Sequence, residues 1–211
     1  MTGGGSAPFS VGDAISYGWR AYWKFVGPLL LVTLVAWGVS IVFSVIGSLT
    51  NNAIASLLLS LIGWIVGLII AMGLIRCALA VVEGRTPEVS MLFQTEGLGS
   101  YIIASIVAGL IIFVGLILCI VPGIIAGIIL MFYGFAIVER PDTKPMEALA
   151  RSRDLTQGRL GELFLFGLAL LGINIIGALL CLVGLLFTYG ITAVAVAYAY
   201  RSLSNQSIAP A

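Results

Sequence analysis

Three stretches of this chain carry no charged side chain: residues 25–75, 97–138 and 163–200, which are 51, 42 and 38 residues long. A helix that crosses a bilayer needs about 20 apolar residues, so each stretch has room for two crossings and a tight turn. The pattern predicts an all-α membrane protein with six transmembrane helices in three hairpins, at about 25–82, 98–138 and 160–200. Composition points the same way. Hydrophobic residues make up 61% of the chain and charged residues 9%, against about 25% charged in an ordinary soluble domain. Ten cations and nine anions cannot clothe a soluble fold of 211 residues. The net charge of +1 gives no field for nucleic acid.

The expected breaks lie at turn-forming residues. Thr50-Asn51-Asn52 interrupts the first stretch and Val121-Pro122-Gly123 the second. A softer break falls at Leu182-Val183-Gly184. The third stretch barely holds two full spans, so its helices are expected to be short. All Lys and Arg residues lie outside the three stretches, and basic residues accumulate on the cytoplasmic face. This predicts a plasma-membrane protein with both termini and both long loops cytoplasmic. Met1–Ser10 lacks a charged region ahead of an apolar one, unlike a secretory signal. Residues 1–9 read as a flexible tail, 10–201 as one transmembrane domain, and 202–211 as a C-terminal tail.

Each hairpin is expected to follow a short interfacial helix, giving a threefold helix-plus-hairpin unit. Ser10 and Asp13 have capping-box spacing. Ile15, Trp19, Tyr22, Trp23 and Val26 follow at helical spacing. Thr86-Pro87-Glu88 reads as a second helix start, with Val89, Leu92 and Phe93 on its apolar face and Gly97 and Gly99 ending it. Asp142 to Glu147 reads as a third, with Met146, Leu149 and Ala150 on one face and Gly158 closing it. Leu118-Cys119-Ile120-Val121 also echoes Leu180-Cys181-Leu182-Val183.

Little catalytic chemistry is available. The chain has no histidine, which removes the usual general base and the commonest metal ligand. Its three cysteines, Cys77, Cys119 and Cys181, lie in apolar segments without metal-ligand spacing. Cys119 and Cys181 sit at similar depths, which leaves a disulfide open. No acid lies inside a span, against the usual pattern of proton-coupled transport. No cofactor motif is present, and no enzyme activity is expected.

Candidate contact residues remain. Trp19, Arg20, Tyr22, Trp23 and Lys24 combine aromatic and basic character, as membrane-interface helices do. They read either as an anchor for the first span or as a binding site for anionic lipid. Arg151, Arg153 and Arg159 are close enough in sequence to hold a phosphate, with Asp154 and Glu162 as internal partners. Asn174 is the strongly polar side chain inside a span. It reads as an interhelical hydrogen-bonding group or as part of a solute path with Thr188 or Thr192. Gly63-xxx-Gly67 and Gly123-xxx-Gly127 permit close helix approach, within the bundle or to another chain.

One stretch is distinctive: Ile117 to Ile124, with its Val-Pro-Gly, then Ala136-Ile-Val-Glu-Arg140, then Pro145 through Gly158 with the pattern Ala-Leu-x-x-Ser-x-x-Leu-Thr-x-Gly. It resembles the membrane domain of the glycerophosphoryl diester phosphodiesterase family and the related YciC-like integral membrane proteins. Ser-Val-Gly-Asp-Ala at 10–14 looks like the matching N-terminal unit, so the likeness runs from about 10 to 201. It implies six helices with interfacial elbows. It implies no catalysis, since in fused members the phosphodiester chemistry belongs to a separate soluble domain absent here. The leading expectation is a non-enzymatic inner-membrane scaffold or accessory subunit of bacterial type. Its partners would be membrane lipids, with another membrane protein or a second copy also open. The alternatives are a permease or channel component lined by Asn174, Tyr133 and Thr188, and an enzyme acting on lipid phosphate through Arg151 and Arg153.

Overall fold

The computed structural model describes residues 10–49 and 52–210, leaving aside the side chains of 181–183. Among the described residues the chain is all-helical. Its helices are α1 (Val11–Lys24), α2 (Val26–Ser48), α3 (Ala53–Val82), α4 (Leu98–Leu118), α5 (Ile120–Ile129), α6 (Tyr133–Glu139), α7 (Pro145–Thr156), α8 (Leu160–Leu179) and α9 (Cys181–Leu203). A 3-10 turn at Val89–Phe93 joins α3 to α4. Among the described residues, five segments are long and apolar enough to cross a membrane: α2, α3, α4, α8 and the combined run Ile120–Glu139. The chain is a multi-pass membrane protein. α2 packs on α3, α4 on α5, and α8 on α9, while α9 also touches α1 and α3.

Local signals mark four of the helix starts. The Asp13 amide donates to Ser10 Oγ at 3.4 Å, so the Ser half of the expected capping box forms. Asn52 Oδ1 accepts from the amides of Ile54 and Ala55, which caps α3 at the expected turn. Thr50 and Asn51 lie outside the described residues, as does the 1–9 tail. Gly97 and Gly158 both hold positive φ at the expected boundaries.

Several expectations are corrected. The second hairpin turns at Cys119, not at Val121-Pro122-Gly123. Pro122 lies in the first turn of α5, where an amide would have no helical partner to lose. The third turns at Leu180 instead of Leu182-Val183-Gly184. The elbow before α4 is not an α-helix. Glu88 is extended and the five residues after it form only a 3-10 turn. That turn is pinned by close backbone approach: a Cβ on Gly73 would lie 2.4 Å from Leu92 Cα. The threefold unit is therefore uneven, with true helical elbows only at α1 and α7.

The run Ile120–Glu139 is also interrupted, at Leu130–Phe132. Such a break frees backbone groups that must find other partners in an apolar setting. Ser152 of α7 supplies them. Its hydroxyl donates to the Ile129 carbonyl at 2.7 Å and accepts from the Phe132 amide at 3.1 Å. This turns the buried face of α7 to Ala148, Leu149, Ser152 and Thr156. Met146 and Ala150, expected on one face with Leu149, are instead exposed.

Burial is concentrated toward one end. The main core joins Tyr22 of α1, Val82 of α3, Phe132, Phe166 of α8, and Val194 and Tyr200 of α9, all fully buried. α2 has no buried residue beyond Ala36, and α3 none before Ile70. The loops and the C-terminal segment gather at the same end as this core. The Ala209 amide donates to the Val82 carbonyl at 2.9 Å, and Ile208 packs against the core.

Candidate functional site

Two arrangements at that end bring together the residues singled out above. The first is a groove between α1, α8 and α9. Helix α1 seats one face on α9, with Ala14, Tyr17, Gly18, Ala21 and Tyr22 buried. A Cβ at Gly18 would lie 2.9 Å from the Ile191 carbonyl, and one at Gly190 would lie 2.4 Å from the Tyr22 ring. Only glycine at both points lets the helices approach this closely. The opposite stripe of α1, with Ile15, Trp19 and Trp23, then faces outward. Trp19 and Trp23 remain about half exposed and stack edge to face with centroids 5.8 Å apart. Trp23 also leans on Phe187 of α9 at 6.2 Å. The resulting groove has a volume of about 860 Å³ and an almost wholly apolar wall. Ser16 and Arg20 supply the polar side chains on its α1 wall, and Thr188 lies on its α9 wall. Arg20 Nε donates to the Ser16 carbonyl at 3.4 Å.

Lys24 behaves differently from Arg20. Its Nζ donates to the Pro210 carbonyl at 3.0 Å and lies 5.8 Å from the Phe25 ring centre. The Tyr17 hydroxyl donates to the Ala209 carbonyl at 2.9 Å. Burial, and then the neighbouring Tyr198, raise the Tyr17 pKa above its ordinary value, with Arg201 opposing. The hydroxyl stays a donor at neutral pH, and the C-terminal segment is strapped beneath α1. No feature of residues 202–211 signalled this strap in the sequence.

The second arrangement is a polar clamp. Glu139 at the end of α6 accepts from Arg151 of α7 at 2.9 Å and from the Tyr200 hydroxyl at 2.7 Å. Gln206 Nε2 also donates to it. Glu83, just after α3, pairs with Arg85 and with Arg201. Arg76 donates to the carbonyls of Gln94 and Glu96. Arg151 is thus committed to Glu139, which corrects the expected pairing with Asp154 and Glu162. Arg153 and Arg159 remain exposed, without an ion pair among the described residues.

Asn174 is corrected too. Its Nδ2 donates to the Leu170 carbonyl of its own helix at 2.9 Å, and it makes no crossing hydrogen bond among the described residues. Tyr133 shares a 3.0 Å hydrogen bond with Ser105 and packs on Tyr101. Thr188 lines the apolar groove instead. Thr192 donates to the Tyr189 carbonyl within α9. Cys77 is buried and Cys119 exposed, while the Cys181 side chain lies outside the described ones, and with it the suggested pairing. Among the described residues no cluster of His, Cys, Asp or Glu has metal-binding geometry. Of the small-residue patterns, Gly123 packs tightly on Leu116 of α4, and Gly63 lies against Phe43. Gly67 and Gly127 face open space.

Comparison with known proteins finds relatives in mycobacteria. The chain is 26% identical over 237 aligned positions to the uncharacterized protein Rv2560 of Mycobacterium tuberculosis. The uncharacterized protein Mb2590 of Mycobacterium bovis matches at the same 26%. Each alignment covers 98% of this chain and 72% of the relative. No family model matches the sequence. No solved structure matches it either.

Proposed function

We propose that this chain is a non-enzymatic plasma-membrane protein that acts through lipid and protein contacts, as a scaffold or accessory subunit. In this reading six helices cross the bilayer as the pairs α2–α3, α4–α5/α6 and α8–α9. The polar end, with both termini and both long loops, faces the cytoplasm. The chain belongs with the membrane domain of the glycerophosphoryl diester phosphodiesterase family and its YciC-like relatives.

The observation that carries the reading is the contrast between inward and outward polar groups. The clamp groups at the polar end mostly satisfy one another: Glu139, Glu83, Arg151 and Arg201 are tied into pairs. While exposed acids such as Glu147 and Asp154 lie on α7, the outward side chains along the groove are aromatic, aliphatic and cationic, Trp19, Arg20 and Trp23. That is the surface chemistry of a membrane interface, not of a reaction centre. The family placement draws support from the Ala-Leu-x-x-Ser-x-x-Leu-Thr-x-Gly pattern. Its Ser152 bridges a helix break and its Gly158 holds a positive φ, so these positions have structural work to do.

Native mass spectrometry of the protein released gently from its own membrane tests the function. Retained lipid or a second polypeptide at fixed stoichiometry is the expected result. A bare chain that conducts a solute in proteoliposomes, with flux lost in Asn174→Leu, would overturn it in favour of a permease. Orientation is tested by maleimide labelling of intact cells carrying Asn52→Cys or Ser204→Cys in a cysteine-free background. Asn52→Cys is expected to label from outside and Ser204→Cys only after permeabilisation.

A further inference from the structure

We infer that the groove between α1, α8 and α9 is a specific seat for one anionic phospholipid, its acyl chain lying along the groove and its phosphate held at Arg20, since the Ser16 hydroxyl already donates to the Asp13 carbonyl at 3.1 Å. The inference rests on the lipid-contact reading above and narrows it to one place and one headgroup charge.

The groove's two ends differ in the way such a ligand requires. Its α1 wall carries Ser16 and Arg20, flanked by Trp19 and Trp23. Its far wall runs through Ile173, Ile176 and Leu180 of α8. From Gly184 to Ile191 the α9 wall covers about 10 Å of helix rise. One leaflet of hydrocarbon is about 15 Å deep, half of a core of about 30 Å. The α9 wall of the groove is therefore shorter than one leaflet is deep. Its volume of about 860 Å³ lies within the range of pockets that enclose lipophilic ligands, about 300–1,000 Å³.

Charge selects the headgroup. Arg20 Nε is used by the Ser16 carbonyl, while its terminal nitrogens have no partner among the described residues. A guanidinium presents paired donors that match phosphate oxygens. The groove lining itself holds no carboxylate; the exposed Asp13 lies one turn before Ser16 on the same helix. The neighbouring cation Lys24 is tied to Pro210 and is not needed. Half-exposed tryptophans on both sides of Arg20 suit the headgroup level, where indole rings collect. An apolar transmembrane partner helix would leave this guanidinium without an anion, and a zwitterionic lipid would meet it with its own ammonium nearby.

The test uses the full chain in nanodiscs of phosphatidylcholine with about one quarter phosphatidylglycerol, followed by release and native mass spectrometry. One phosphatidylglycerol per chain is expected to survive, retained at least about fivefold over phosphatidylcholine, roughly 1 kcal/mol of preference. Arg20→Gln should abolish the preference and Arg20→Lys should restore part of it. Ile176→Trp changes an exposed groove residue, fills the channel, and should lower retention of either lipid. Lys144→Gln, an exposed cation just before α7, should change nothing. Circular dichroism and gel filtration establish that each variant is folded.

Equal retention of the two lipids, or retention indifferent to both Arg20→Gln and Ile176→Trp, overturns the groove assignment while leaving the broader lipid-contact reading intact. A dimer or a co-purified helix lost on Ile176→Trp also overturns it, by giving the groove to protein. Loss of all lipid and all partners from the wild-type chain would instead sink the broader reading.

Discussion

Helices α1 and α7 are the two helical elbows, and they use their polar residues in opposite directions. α1 turns its small and aromatic residues inward, Gly18 and Tyr22 onto α9, and leaves Arg20 outside between two tryptophans. α7 turns Ser152 and Arg151 inward, one onto a broken backbone and the other onto Glu139. The neighbours decide this. α9 offers α1 an unbroken apolar ridge that only close packing can cover. The α5–α6 break offers α7 two free backbone groups and a carboxylate that only polar side chains can satisfy. An elbow cation is therefore a ligand-binding candidate only where the adjoining span is intact.

The comparison can be broken at four points, taken from the largest expected effect. Gly18→Leu drives a side chain into the α9 backbone and should cost about 3 kcal/mol, with α1 released as the first site of proteolysis. A melting temperature equal to that of wild type would mean that α1 is not seated on α9 as described. Glu139→Ala strands Arg151, Tyr200 and Gln206 together and should cost about 2 kcal/mol. Adding Arg151→Ala should recover part of that loss in a double-mutant cycle; strict additivity would refute the clamp. Ser152→Ala leaves the Ile129 carbonyl and Phe132 amide without their partner and should cost about 1–2 kcal/mol. It is expected to raise hydrogen exchange at Phe132 while leaving α1 unaffected. Tyr22→Phe is the smallest change. The Tyr22 hydroxyl is buried without a hydrogen-bond partner among the described residues. Its removal should leave thermal stability unchanged within about 0.5 kcal/mol, or raise it.

The candidate site was only partly legible. Trp19, Arg20 and Trp23 stood out because aromatic and basic residues on one short helix have a physical meaning without knowledge of neighbours. Arg151 stood out through its group with Arg153 and Arg159, yet its role depends on Glu139, twelve positions earlier at the end of α6. Ser152 gave one signal, its place in the family-like pattern, but its task exists only because the helix breaks at Leu130–Phe132. Asn174 was conspicuous as a polar group in an apolar run, but it closes on its own helix, where a partner is always four residues away.

The charge-free stretches and the cations confined to their flanks were enough to place this chain in a membrane as a helical protein. Solvation by lipid acts on each segment separately, so composition and segment length carry that information. The site of the α4–α5 turn, the break before α6 and the strap formed by residues 204–210 were decided by tertiary structure. So was the choice of which arginines face inward. Each depends on a backbone group or carboxylate delivered by a distant segment, and hydrogen bonds between such segments leave no periodic trace in either one.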